Sequence, residues 1–328
     1  MPMTGLGPHG ERPIEPSDVL LTPEQIGRVA DQGYRVALVF HTTVSDWSKQ
    51  SLAGIMSTLG ACGVIVPEVL DCGFDAQQQI DALHAMAERT DIDAVVSIPV
   101  ANTDVAVAHR CIAASGKKLI LHDNVPTGLL PGRDYASLVS ADNFNIGTIA
   151  AELLSPKLPK NGAVGILTFG TDFYATNERE ISFGRWMRGE RPDLRIVTGR
   201  FHDLGNVREP TRKLLRGAPD LSGLFVVWDV PALEAVATLK EENMPLPVVT
   251  VDLGHDTAVA LANNDHIVGV AAQHPHAQGV LVARATILSL LGDAVPSWIA
   301  VKGLSVTQEN VVEAYQTVWS APAPPSIR

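Results

Sequence analysis

The sequence predicts an α/β chain of two doubly wound, parallel-sheet, Rossmann-like domains, and three observations carry that prediction. Short β-branched runs alternate with helical stretches of about 12–16 residues from Tyr34 onward. The strand candidates are apolar throughout, as parallel strands covered by helices on both faces must be. Ten such strands exceed what one compact sheet usually holds, and the irregular stretch "DNVPTGLLPGRDY" at 123–135 interrupts the rhythm near the middle of the 328 residues.

Residues 1–21 are rich in Pro, Gly and charge and read as a flexible leader. A short helix follows in "TPEQIGRVADQG": Thr22 caps it, Pro23 takes the first helical position, Gln25 completes a capping box and Gly33 stops it. The first half then offers strands "YRVALVF" (34–40), "GVIVPEV" (63–69), "DAVVSIP" (93–99), "KLILH" (118–122) and "ASLVSA" (136–141). Helices at 48–62, 76–89 and 104–116 separate the first four. The second half offers "AVGILTF" (163–169), "LRIVTG" (194–199), "GLFVVW" (223–228), "PVVTVD" (247–252) and "IVGVAA" (267–272), with helices at 145–154, 230–243 and 276–292.

Composition narrows the function classes. A formal charge of −11 without any Lys or Arg cluster argues against nucleic acid and anionic membranes. No 18-residue apolar window predicts a membrane span or direct insertion, and the first 34 residues lack a basic-then-apolar signal pattern. Cys62, Cys72 and Cys111 form no metal-type spacing; Cys62 and Cys72 bracket a strand candidate whose ends lie about 25–30 Å apart, too far for a disulfide, so they read as buried small hydrophobes. No strand candidate runs through a Gly-rich phosphate-binding turn into a helix, and G-x-S-x-G, H-E-x-x-H and C-x-x-C are missing. Nothing argues for an enzyme or a cofactor.

Ligands of open parallel sheets bind beyond the carboxyl ends of the strands. Those ends carry "HTTVSDWSK", "VANTD", "HDN", "GTDFYATNERE", Trp228-Asp229, Asp252 and Gln273, a polar, acidic and aromatic set with Arg179 as its main cation. Such a set suits a neutral polyhydroxylated molecule: carboxylates accept from vicinal hydroxyls, Arg and Asn donate, and Trp covers an apolar C–H face. Each residue also has a plainer reading: Asp229 and Asp252 as helix caps, Trp47 and Trp228 as packing, His41 and His122 as satisfied histidines. The run "VAAQHPHAQGV" raises a metal question, but His266 lies about 20 Å from His274 and His276 along a strand, too far for one ion. Gln273 is the residue of interest there.

The ordered motifs "VSADNFNIGTIAAELL", "ATNEREISFGRWM", "FVVWDVPALEAVATLKE", "VVTVDLGHDTAVAL" and "AAQHPHAQG" resemble the type 1 periplasmic sugar-binding proteins, the ribose- and galactose-binding group of ABC-transporter receptors, over roughly Tyr34–Tyr315. The resemblance implies ligand contacts at Trp47, Ser48, Asp123, Asn124, Phe173, Arg179, Trp228, Asp252 and Gln273. It also implies crossovers near Ala141, Gln273 and Lys302. Residues 34–140 plus 274–302 would then form one lobe and 141–273 plus 303–320 the other, closing on the ligand by hinge bending. Two departures stand out: the family's Asp-Arg pair reads Asp123-Asn124, and an Asn before the next Asp is replaced by Trp228. The implied function is the solute receptor of a carbohydrate transporter, in the periplasm or at the cell surface, binding a C4–C6 polyol or pentose with affinity near micromolar, about 8 kcal/mol, and presenting it to a membrane permease. The alternative is a sensing domain of a chemoreceptor, sensor kinase or repressor-type regulator. For the last, residues 1–34 hold one short helix, two Arg and five carboxylates, a poor DNA-binding headpiece.

Overall fold

A computed structural model describes residue 3 and residues 5–327 of the chain; Met1, Pro2, Thr4 and Arg328, including three residues of the leader, lie outside the described residues. The first sheet takes β1 (Arg35–Phe40), β2 (Ile65–Asp71), β3 (Ala94–Ser97), β4 (Lys118–His122), β5 (Ser137–Ala141) and, from far along the chain, β11 (Trp298–Val301), in the order β11-β5-β4-β3-β1-β2. The second takes β6 (Ala163–Phe169), β7 (Arg195–Phe201), β8 (Leu221–Val226), β9 (Val248–Val251), β10 (Ile267–Ala272) and β12 (Leu304–Val306), in the order β12-β10-β9-β8-β6-β7. Every ladder is parallel except β10 with β12. The chain therefore passes between sheets three times, after β5, after β10 and after β11.

The two sheets are the predicted doubly wound pair, with differences that have physical reasons. The strands β2 and β7 are not apolar throughout: exposure alternates along β2, and β7 exposes Arg195, Thr198 and Arg200, because each is a sheet edge. The strands β11 and β12 escape sequence reading because they are four and three residues long. The helix α6 (Tyr174–Glu190) escapes it because its buried stripe is broken by charge.

Helices cover both sheets: α2 (Asp46–Ala61), α3 (Ala76–Glu88), α4 (Ala106–Ala114) and α10 (Pro275–Leu290) on the first, and α5 (Asn143–Leu154), α6, α7 (Arg208–Gly217), α8 (Asp229–Glu241), α9 (His255–Ala262) and α11 (Val311–Trp319) on the second. Among the described residues no helix is long and apolar enough to cross a membrane. All three cysteines are free, Cys62 and Cys72 buried and Cys111 half-buried.

The leader is docked rather than loose from Gly5 onward. Ile14 forms a parallel bridge with Ile299 on β11, Lys302 pairs with Glu15 at 2.9 Å, and the Tyr174 hydroxyl donates to the Leu6 carbonyl at 2.8 Å. The leader holds one G-x-G-x-x-G run, Gly5–Gly10, which follows no strand and opens no helix. Beyond it, α1 (Pro23–Ala30) has the capping box read from Thr22 and Gln25, and Gln25 also donates to Asp293.

Candidate functional site

Between the carboxyl ends of the two sheets lies a cavity of about 490 Å³, within the size range of small-molecule sites. Of the residues singled out in the sequence, Trp47, Asp123, Phe173, Arg179, Trp228, Asp252 and Gln273 line it. Two do not. Ser48 is wholly buried within α2 and bonds Ser45, because one step along a helix turns the side chain about 100° away from Trp47. Asn124 is wholly buried as well: its amide donates to the Pro99 carbonyl at 2.9 Å and its side-chain oxygen accepts from the Tyr174 N–H at 2.8 Å.

The acidic residues owe their aim to the backbone. Asp123 ends β4 with φ 59° and Asp252 ends β9 with φ 72°, left-handed positions that L-residues rarely occupy. Both carboxyls are buried and line the cavity. Their orientation is then fixed by neighbours. Gln278 donates to the Gln273 oxygen at 3.0 Å, and Gln273 in turn donates to Asp252 Oδ1 at 2.8 Å. Gln273 thus uses one N–H to hold Asp252 and is itself held by Gln278.

Arg179, on α6 and 3% exposed, is clamped from two sides. Its Nε donates to Asn143 Oδ1 at 2.8 Å, Nη1 donates to the Val227 carbonyl at 3.0 Å, and Nη2 stands 4.0 Å from Asp123 Oδ2. The planar fork leaves its remaining donors directed at the cavity.

Sequence reasoning missed several lining residues. Asp229 stood in the strand-end set with a cap as its plainer reading and was not among the implied contacts; it opens α8, accepts from the Gly254 N–H at 3.0 Å and lines the cavity. Burial pushes the Asp229 carboxyl above the ordinary range, with nearby Asp252 adding to the shift; burial raises Asp252 likewise, partly offset by Arg179. Phe74 and Phe169 were invisible because they approach from opposite sheets, their rings 6.2 Å apart. Phe169 meets Trp228 edge to face at 5.4 Å, giving the second sheet an aromatic wall.

The histidines play other parts. His122 is fully buried, bonded to Ser51 and the Val139 carbonyl, and stacked on Trp47 at 5.0 Å. It fixes the tryptophan instead of meeting a ligand. His41 does line the cavity, and burial lowers its pKa to about 3, so it is a neutral ring there. His266 sits at the far end of β10 on the Leu246 carbonyl.

Two six-stranded sheets joined by three passages, with a polar and aromatic cavity between their carboxyl ends, match a known pattern. Residues 36–293 fit the model of the periplasmic binding protein domain. The chain belongs to the periplasmic binding protein family. A ribose import binding protein of Bacillus subtilis (strain 168) is 25% identical over 234 residues, covering 71% of this chain and 74% of that protein. Among solved structures, an Agrobacterium radiobacter carbohydrate transporter solute-binding protein in complex with D-arabinose aligns with TM-score 0.78 at 20% identity, covering 89% of this chain and 99% of that one. An Agrobacterium vitis ABC transporter solute-binding protein bound with α-D-tagatopyranose aligns with TM-score 0.79 at 21% identity, covering 85% and 96%. This family's type 1 sugar-binding architecture accounts for both sheets and all three passages.

Proposed function

We propose that the protein is the solute-binding receptor of a carbohydrate ABC transporter, located in the periplasm or at the cell surface. It takes a small neutral sugar or sugar alcohol, a C4–C6 polyol or a pentose, between lobes formed by 34–140 plus 274–302 and by 141–273 plus 303–320. It works by hinge closure, not turnover, and hands the ligand to a membrane permease. One observation carries this reading: Asp123 and Asp252, from different sheets, reach one cavity with Arg179 between them and Trp228 and Phe169 as an apolar wall. Carboxylates accept from hydroxyls, the guanidinium donates, and the aromatic faces cover C–H groups. The solved relatives bound to D-arabinose and α-D-tagatopyranose support the same ligand class. Asn124 takes no ligand contact, which removes the donor that the sugar-binding pattern has there and favours a hydroxyl arrangement other than ribose.

A thermal-shift screen over sugars, sugar alcohols, amino acids and nucleosides tests the proposal. A cognate ligand at 100 times its Kd stabilises by about 2.7 kcal/mol, and only the polyols and sugars are expected to do so. Asp252→Ala, leaving ligand hydroxyls without an acceptor at about 1–3 kcal/mol per group, is expected to abolish the shift while the protein stays folded. Shifts confined to amino acids or nucleosides would sink the polyol reading.

A further inference from the structure

Among the helices of the second lobe that begin without a side-chain cap of their own are α6 and α9. The N-cap of α6 is Phe173 and that of α9 is Gly254, and neither side chain accepts a hydrogen bond from its helix. The first N–H groups of any helix need acceptors from outside the helix. Here the acceptors come from the other lobe. Asn124, just past β4, accepts from the Tyr174 N–H at 2.8 Å, and Asp46, at the start of α2, accepts from the His255 N–H at 2.9 Å. Tyr174 and His255 are the first residues of α6 and α9. A third bond joins the same lobes, from the Asn102 N–H to the Asp172 carbonyl at 2.9 Å.

We propose that Asp46 and Asn124 are cross-lobe helix caps: positioning residues that set how much of the protein is closed and so scale affinity for every ligand without touching any. This rests on the hinge-closing receptor reading above. Neither residue lines the cavity. Each bond joins groups that separate when the lobes part, so its whole contribution belongs to the closed state. A carboxylate at the α9 terminus also meets the positive end of that helix. Asn124 is held ready by its own bond to Pro99 within the first lobe, so little freedom is lost when Tyr174 arrives. The two departures from the sugar-binding pattern are then different in kind: Trp228 reshapes the ligand wall, whereas Asn124 exchanges a ligand contact for a lobe contact.

The test compares wild type with Asp46→Ala, Asn124→Ala and Asp46→Asn, the last keeping a capping oxygen at the same reach. Pulsed electron–electron distance measurements between one spin label on each lobe give the closed fraction. They are made without ligand and with D-arabinose, D-tagatose, D-fucose and glycerol as probes; calorimetry gives affinities for whichever probes bind. Each Ala variant is expected to lower the closed fraction and to weaken all binding probes by one common factor, about 3- to 10-fold, with their rank order kept. Asp46→Asn is expected to stay within about twofold of wild type. Asp46 lies at the half-exposed rim, so its variants decide the matter if Asn124→Ala fails to fold. Ala variants that close and bind like wild type overturn the capping role alone, as does a changed rank order among probes. A wild type that never reaches the closed separation, with or without a probe, overturns the closure reading and the caps together.

Discussion

At the scale of single residues, two of the carboxyls lining the cavity are largely buried. Asp229 and Asp252 are each at most 8% exposed, and burial is the main cause of both raised values. A carboxyl that titrates higher folded than unfolded holds a proton the unfolded chain gives up. The stability this adds is complete below the unfolded value, about 3.9, and is lost as pH rises through the raised folded value. Asp229→Asn keeps an oxygen for the Gly254 N–H but has nothing to ionise. Its thermal midpoint is therefore expected to gain on wild type steadily from pH 4 to pH 8, measured without ligand; a constant gap between the two would show that Asp229 is already ionised across the range. Such residues are only partly legible in a sequence. That Asp123, Trp228, Asp252 and Gln273 converge follows from the strand ends they follow and, with Arg179 on α6, from the family pattern they match. That Ser48 turns away needed the start of α2 to be placed correctly, and that Asn124 does could not be read, because its direction is decided by Tyr174, 50 residues along the chain.

At the scale of elements, the first lobe depends on how closely α2 and α10 approach. Gly54 and Gly279 face each other's helices, and a Cβ on either would collide with backbone: the His276 carbonyl oxygen for Gly54, the Ser51 carbonyl oxygen for Gly279. Backbone cannot rotate aside as a side chain can, so the helices would have to part. Gly279→Ala is expected to destabilise by about 1–3 kcal/mol, read by urea denaturation. Gly60→Ala, also on α2 but with open space around it, is expected to do the opposite, stabilising by about 0.5–1 kcal/mol through better helix propensity. Equal effects at the two positions would mean that packing between α2 and α10 is loose. The sequence shows a glycine inside each helical pattern but not that the two lie in one interface, since their meeting depends on the chain returning to the first sheet after β10. The same return explains why β11 was not seen: four residues gain strand character only from pairing with β5.

At the scale of the whole molecule, the leader runs beside the passages where the lobes join. The Gly5 N–H donates to Asp142 at 3.2 Å, next to the first passage; Ile14 pairs with Ile299 on β11; and Glu15 holds Lys302 at the third. Composition alone suggests a loose segment, because Pro and Gly forgo helix and strand propensity. What composition omits is an available edge: β11 ends its sheet, and Ile14 takes the open side of it, donating to the Trp298 carbonyl at 3.2 Å and accepting from the Ala300 N–H at 3.1 Å. Displacement during hinge bending is smallest at the passages, so a segment docked there can stay in place while the lobes move. Removing residues 1–15 should then reduce stability and spare binding. Loss of the edge pairing and of cover over Trp298 amounts to about 2 kcal/mol, and the thermal midpoint is expected to fall by about 4–8 °C. Affinity for a ligand found in the thermal-shift screen is expected to stay within about twofold, because none of the described residues among them lines the cavity. An unchanged midpoint would mean the docked leader adds nothing to the fold, and a larger loss of affinity would mean it biases the open–closed balance from the hinge side, opposite the two caps at the mouth.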